Sequence, residues 1–145
     1  MLVSVALSNQ HCVRSRFKNL NVNNAHQIVS FARKGVKAKL FYDLAEVAKM
    51  SEKALAAIIN LSARTISNYK EQQKVLEPVY GEHLLKLVAL YEKGESFFGN
   101  VDEFNYWLKK PFWNSKETPL DWMVTPGGVD LLMEELDKLA QGYPV

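Results

Sequence analysis

The spacing of apolar residues constrains this chain more than any other feature. Tyr80, Leu84, Leu87, Val88 and Tyr91 fall at i, i+4, i+7, i+8 and i+11, the stripe that one face of an α-helix presents. Val129, Leu132, Met133, Leu136, Leu139 and Ala140 repeat the device near the C-terminus. Almost every other periodic stretch has helical spacing, and none alternates as a half-buried strand does. The chain is therefore expected to be all-α, with about seven helices.

Punctuating residues set the boundaries. Asn24 is placed to cap a helix running to about Lys34, with Gly35 ending it in a left-handed conformation. A second helix spans about Lys37 to Lys49, with Leu40, Leu44, Val47 and Ala48 on one face. Ser51 caps a third, in which Leu55, Ile58 and Ile59 point inward, and Asn60 suits the left-handed turn after it. Ser62 caps a fourth, through about Lys70, whose inward edge is Ile66 and Tyr69. Gln72 to Glu77 reads as a linker, and Pro78 sits where a helix's first turn accepts proline. That long helix ends near Phe98, before Gly99. Asn100 then caps a short helix carrying Val101, Phe104, Trp107 and Leu108, closed off by Pro111. Thr118-Pro119 and Thr125-Pro126 each pair an N-cap with a first-turn proline, and Gly142 stops the last helix. The expected organisation is an N-terminal arm of uncertain structure over residues 1–20, a part over 21–76 and a second part over 77–145.

Charge divides at the same place. Residues 1–76 carry twelve Lys/Arg against four Asp/Glu, a net of +8; residues 77–145 carry six against twelve, a net of −6. Such a split suits two partners of opposite charge, phosphate for the first half and a basic surface for the second. A 48% hydrophobic and 23% charged content is that of a globular chain rather than a disordered one. No apolar run reaches bilayer length, and residues 1–7 lack the basic flank and cleavage site of a signal peptide. A single cysteine, Cys12, suits a reducing cytoplasm.

No converging catalytic constellation can be assembled. His11, His26 and His83 are scattered, with no pair at metal-ligand spacing, and Gly127-Gly128 follows a Thr-Pro cap rather than a strand, unlike a phosphate-binding loop. Cys12 beside His11 lies in an unpatterned basic stretch, and Glu134, Glu135 and Asp137 fall on the outer side of an amphipathic helix. Binding rather than catalysis is the expectation, with no cofactor and no metal.

Residues 51–70 have the layout of a helix-turn-helix: two helices of similar length with a short turn at Asn60-Leu61, locked by Leu55, Ile58, Leu61 and Ile66. Arg64, Thr65, Ser67, Asn68 and Lys70 then face outward on the second helix. Arginine suits guanine edges or phosphate, asparagine suits adenine, and hydroxyls suit phosphate oxygens. Lys74 and the cluster Arg33, Lys34, Lys37 and Lys39 would add backbone neutralisation.

The run Phe97-Phe98-Gly99-Asn100-Val101-Asp102-Glu103-Phe104-Asn105-Tyr106-Trp107-Leu108-Lys109-Lys110-Pro111 resembles a signature of the Xre/MbcA/ParS antitoxin family, phenylalanine-glycine followed by tryptophan-leucine-x-x-proline. Thr118-Pro119-Leu120-Asp121, Thr125-Pro126-Gly127-Gly128 and a terminal helix through Glu135-Leu136-Asp137-Lys138-Leu139 to Gly142 follow in that family's order. Upstream, Leu44 to Lys74 is similar to its helix-turn-helix-like portion, with Ser62-Ala63-Arg64-Thr65-Ile66 opening the last helix. The chain departs from the pattern at Ser67-Asn68-Tyr69-Lys70, where the family often carries several arginines. The resemblance implies an antitoxin encoded beside a RES-domain or ADP-ribosyltransferase-like toxin that uses or destroys NAD. It further implies a C-terminal domain that blocks the toxin's active-site entrance, a basic half that autoregulates the operon, and a homodimer inside a toxin–antitoxin complex.

Candidate toxin contacts follow. Phe112, Trp113 and Trp122 sit in or beside loops, where large amphipathic rings anchor interfaces. Gly142, Tyr143, Pro144 and Val145 form a stiff tail with a free carboxylate, suited to plugging a cationic pocket, and Glu134 and Glu135 would complement a basic rim. The alternative is a helix-turn-helix transcription regulator whose C-terminal half dimerises or senses a ligand.

Overall fold

The computed structural model describes residues 12–142. Among them, nine helices and one minimal strand pair follow in the order α1 (Val13–Arg16), α2 (Ala25–Lys34), β1 (Val36–Lys37), α3 (Ala38–Val47), α4 (Glu52–Ile59), α5 (Ala63–Glu71), β2 (Val75–Leu76), α6 (Pro78–Phe98), α7 (Val101–Leu108), α8 (Pro119–Trp122) and α9 (Pro126–Ala140). The all-α expectation holds. The two four-residue helices, α1 and α8, bring the number above the expected seven.

Six helix starts are fixed by side-chain caps at the positions anticipated. Asn24 accepts the Gln27 N–H at 2.9 Å, Ser51 that of Ala54 at 3.0 Å, Ser62 that of Thr65 at 3.0 Å and Asn100 that of Glu103 at 2.8 Å. Thr118 and Thr125 cap α8 and α9, with Pro119 and Pro126 in the first turns, and at Thr118 the Asp121 carboxylate returns the bond to complete a capping box. The ends of α3, α4 and α5 share one geometry. Lys49, Asn60 and Gln73 adopt left-handed backbone at φ 55, 64 and 55, and the next residue's N–H bonds back across the turn to Ala45, Ala56 and Tyr69. These are Schellman closures made without glycine. Asn60 was expected in this role; Lys49 and Gln73 were not.

Helix α6 is the axis of the molecule. It packs against α2 on one side and α9 on another, with α1, α3, α4 and α7 completing its surroundings. Leu84, Leu85, Leu87, Val88, Leu90 and Tyr91 along it are all within 1% of full burial. At its C-terminal end Gly94 lets α7 approach, since a Cβ there would meet the Phe104 ring at 2.5 Å. Phe98, Phe104 and Trp107 stack beyond it.

Two segments are more structured than their sequence suggested. Val13 and Phe17 are buried, and Glu95 of α6 accepts both the Cys12 thiol at 2.8 Å and the Val13 N–H at 3.1 Å, which docks residues 12–17 onto the core. Residues 1–11, including His11, and 143–145 lie outside the described residues. The stretch expected to be a linker contains β2, antiparallel to β1 with Val36 opposite Leu76 and Lys37 opposite Val75. Two residues are too few to show alternation in a sequence.

Candidate functional site

Helices α4 and α5, with the turn Asn60-Leu61-Ser62 between them, form the expected helix-turn-helix. Leu55, Ile59 and Ile66 are fully buried between the two helices and α3. Ile66 fixes which side of α5 faces inward. Arg64, Asn68 and Glu71, at i, i+4 and i+7, then share the outermost strip, and all three are exposed.

The predicted DNA-contact residues do not behave alike. Arg64 and Asn68 are exposed and close enough on one strip to reach a single ligand surface. Thr65 is half-buried, its hydroxyl 2.7 Å from that of Ser62 within the cap. Ser67 is also half-buried, on the side of α5 that faces Tyr42. Burial chiefly, then Glu52, holds that phenol above its ordinary pKa, with Ser67 opposing. Lys70 lies over the Tyr42 ring, 4.6 Å from its centroid, as a cation–π contact. Tyr42 was not anticipated as an organiser of this surface. Nothing local marks it, because its role depends on α3 packing against α5.

Lys74 follows the left-handed Gln73, and its N–H bonds to the Tyr69 carbonyl at 2.9 Å. Lys37, Lys39, Lys70 and Lys74 together line one open groove of about 400 Å³, with Ala38, Tyr69 and Gln73. Arg33 and Lys34 line a different depression on α2, with His26, Val29 and Ser30.

The C-terminal segment reaches back to the turn before α4 and to the turn between α4 and α5. Asn105 donates to the Ala48 carbonyl at 2.8 Å while accepting the Tyr91 hydroxyl at 2.8 Å, and Lys49 pairs with Asp102 at 2.8 Å. The Asn60 amide donates to the Val124 carbonyl at 3.1 Å. Between these contacts lies a cleft of about 450 Å³, walled by Met50, Ala54 and Ile58 on one side and Leu108, Leu120 and Val124 on the other. Next to it His83, 3% exposed, has Nε2 2.8 Å from the Met123 carbonyl. Burial holds its pKa below the ordinary histidine value.

The expected toxin contacts also separate. Trp113 is 84% exposed on the loop after α7. Phe112 and Trp122 are half-buried and pack on each other, with ring centroids 4.6 Å apart, while the Trp122 indole N–H donates to Glu117 at 3.1 Å. Their edges flank Trp113 in sequence and brace its loop, helped by the Phe112 N–H to the Glu117 carbonyl at 2.9 Å. Exposed Tyr106, with Lys110 stacked 4.3 Å from its ring centroid, adds an aromatic beyond the expected toxin contacts. Glu134 on α9 and Gly142 beyond its end are exposed, and Glu135 sits 3.5 Å from Lys138. Asp130 and Asp137 pair instead with Lys86 and Lys93 of α6, so much of that helix's negative charge is held inside the chain. Tyr143, Pro144 and Val145 are outside the described residues.

Among the described residues, no three His, Cys, Asp or Glu side chains are grouped to hold a metal ion, and no helix is long and apolar enough to cross a membrane. Residues 27–89 match the family model of the antitoxin Xre-like helix-turn-helix domain. The matched segment begins in α2, contains α3, α4 and α5, and ends inside α6. No curated protein matches the chain.

Proposed function

We propose that this chain is the antitoxin of a bacterial type II toxin–antitoxin pair. Its basic helix-turn-helix half binds operator DNA and its acidic half caps a toxin. The observation that carries this reading is the antitoxin Xre-like match over residues 27–89, centred on a helix-turn-helix whose second helix exposes Arg64 and Asn68. Toxin binding is assigned to the surface around Trp113, the Phe112–Trp122 pair, Glu134, Glu135 and the tail from Gly142 through Tyr143, Pro144 and Val145. A single tryptophan at 84% exposure on a braced loop is a costly surface for a chain with nothing to cover it. The partner class is an NAD-consuming RES-type or ADP-ribosyltransferase-like toxin, as the resemblance of residues 80–145 implies, and the complex contains a homodimer of this chain in the cytoplasm.

A second reading is favoured by one observation. The cleft between α4 and the α7–α8 segment is of ligand-binding size and is walled by apolar side chains. A transcription regulator whose C-terminal half senses a small molecule would place its ligand there.

DNA binding is tested by gel shift on the region upstream of the chain's own coding sequence. The expected result is retardation that weakens steeply with salt. Asn68→Ala should reduce specific affinity about tenfold or more while changing non-specific binding little. Absence of retardation at low salt removes DNA from the proposal.

A further inference from the structure

We infer that the groove formed by Lys37, Lys39, Lys70 and Lys74 is a seat for nucleic-acid backbone phosphates, and that base contact is confined to the Arg64–Asn68 strip of α5. The inference rests on the DNA-binding reading above and extends it to a division of labour within the surface.

The groove is a tertiary construction. Lys37 ends β1, Lys39 lies in the first turn of α3, Lys70 in the last turn of α5 and Lys74 at the residue after its closure. The two pairs are far apart in sequence, and the fold brings both to the same concavity. Two devices do this. The left-handed turn at Gln73 reverses the chain so that Lys74 comes back beside Tyr69 and Lys70. The Tyr42 ring holds the Lys70 ammonium at 4.6 Å rather than letting it extend from the helix. Both steps bring like charges together, which costs energy in the free protein unless an anion offsets it. Acids stand beside the cluster as well: Asp43 is 2.8 Å from Lys39 and shared with Arg16 at 3.2 Å, and Glu52 and Glu71 act on the Tyr42 phenol beneath Lys70.

The outer strip of α5 has the opposite character. Glu71 follows Arg64 and Asn68 on it, so a phosphate cannot be tracked along the strip's C-terminal end without repulsion. Thr65 is held to Ser62 and Ser67 is half-buried, which leaves Arg64 and Asn68 as the exposed groups placed to read an edge. Backbone contact is therefore displaced sideways, into the lysine groove.

The test uses the full chain and a short random-sequence duplex, measured by fluorescence anisotropy across a salt series. The double variant Lys37→Ala/Lys74→Ala should bind more weakly, and its slope of log K on log salt should be shallower by about 2, roughly one counterion per lost lysine. The double variant Lys18→Ala/Lys116→Ala removes equal charge at exposed positions outside the groove and should keep the wild-type slope. Lys37→Arg/Lys74→Arg should retain both affinity and slope, and circular dichroism of each variant confirms that it is folded. Equal slope losses in the two alanine pairs would overturn the groove in favour of diffuse charge. An unchanged slope in the Lys37→Ala/Lys74→Ala variant would overturn it while leaving DNA binding intact. If the wild-type chain binds no duplex at low salt, the groove and the DNA-binding reading fall together.

Discussion

A methyl group at Gly128 would meet the Trp122 carbonyl oxygen at 1.8 Å, whereas one at Gly127 would meet nothing within 4 Å. Adjacent glycines in the first turn of α9 therefore have opposite roles. Gly128 allows α9 to start against the end of α8, and the atom in its way is backbone, which cannot swing aside. Gly128→Ala should destabilise the protein by at least about 2 kcal/mol, while Gly127→Ala should leave it unchanged or stabilise it by about 0.5 kcal/mol. Urea unfolding midpoints at unchanged slope measure both. The sequence marks the pair as part of the family's Thr-Pro-Gly-Gly element and as unlike a phosphate loop, without distinguishing the two glycines. Which glycine is obligatory depends on where the Trp122 carbonyl lies, and no local pattern contains that.

Helix boundaries were legible because they are set locally. A cap is a side chain bonding a backbone N–H three residues on, so Asn24, Ser51, Ser62, Asn100, Thr118 and Thr125 could be picked out without knowing the fold. The left-handed Lys49 and Gln73 were not legible, since neither residue type favours that conformation and packing imposes it. The same limit applies to the surface of α5. Its outward positions followed from Ile66, but the capture of Lys70 by Tyr42 follows only from α3 packing against α5. His83 is another tertiary case, joining α6 to the segment between α8 and α9 through the Met123 carbonyl. Burial, more than the nearby Lys86, depresses its pKa, and the Met123 contact opposes this. The unfolded chain therefore takes up the proton more readily than the folded one. Its contribution to stability is complete above about pH 6.5 and is lost as pH falls toward the folded-state value. His83→Gln retains a donor for Met123 but cannot titrate. Unfolding free energy measured from about pH 7 down to pH 5 should fall less steeply in the variant, by up to about 1.4 kcal/mol per pH unit. Parallel curves for the two proteins would refute the assignment.

At the scale of the molecule, α6 connects what the charge pattern separates. One of its sides carries α2 and the other α9, so the basic and acidic halves share a core while presenting different surfaces. Contacts at Ala48, Lys49 and Asn60 further tie the helix-turn-helix to the C-terminal segment. On this account, capping a toxin and binding DNA use separate faces of one packed body. The most direct measurement is growth of cells expressing the adjacent gene with and without this chain. Expressed alone, the neighbour should arrest growth; co-expression should restore it, and the two proteins should co-elute after purification. A neighbour that is harmless by itself and never co-elutes with this chain would contradict the account.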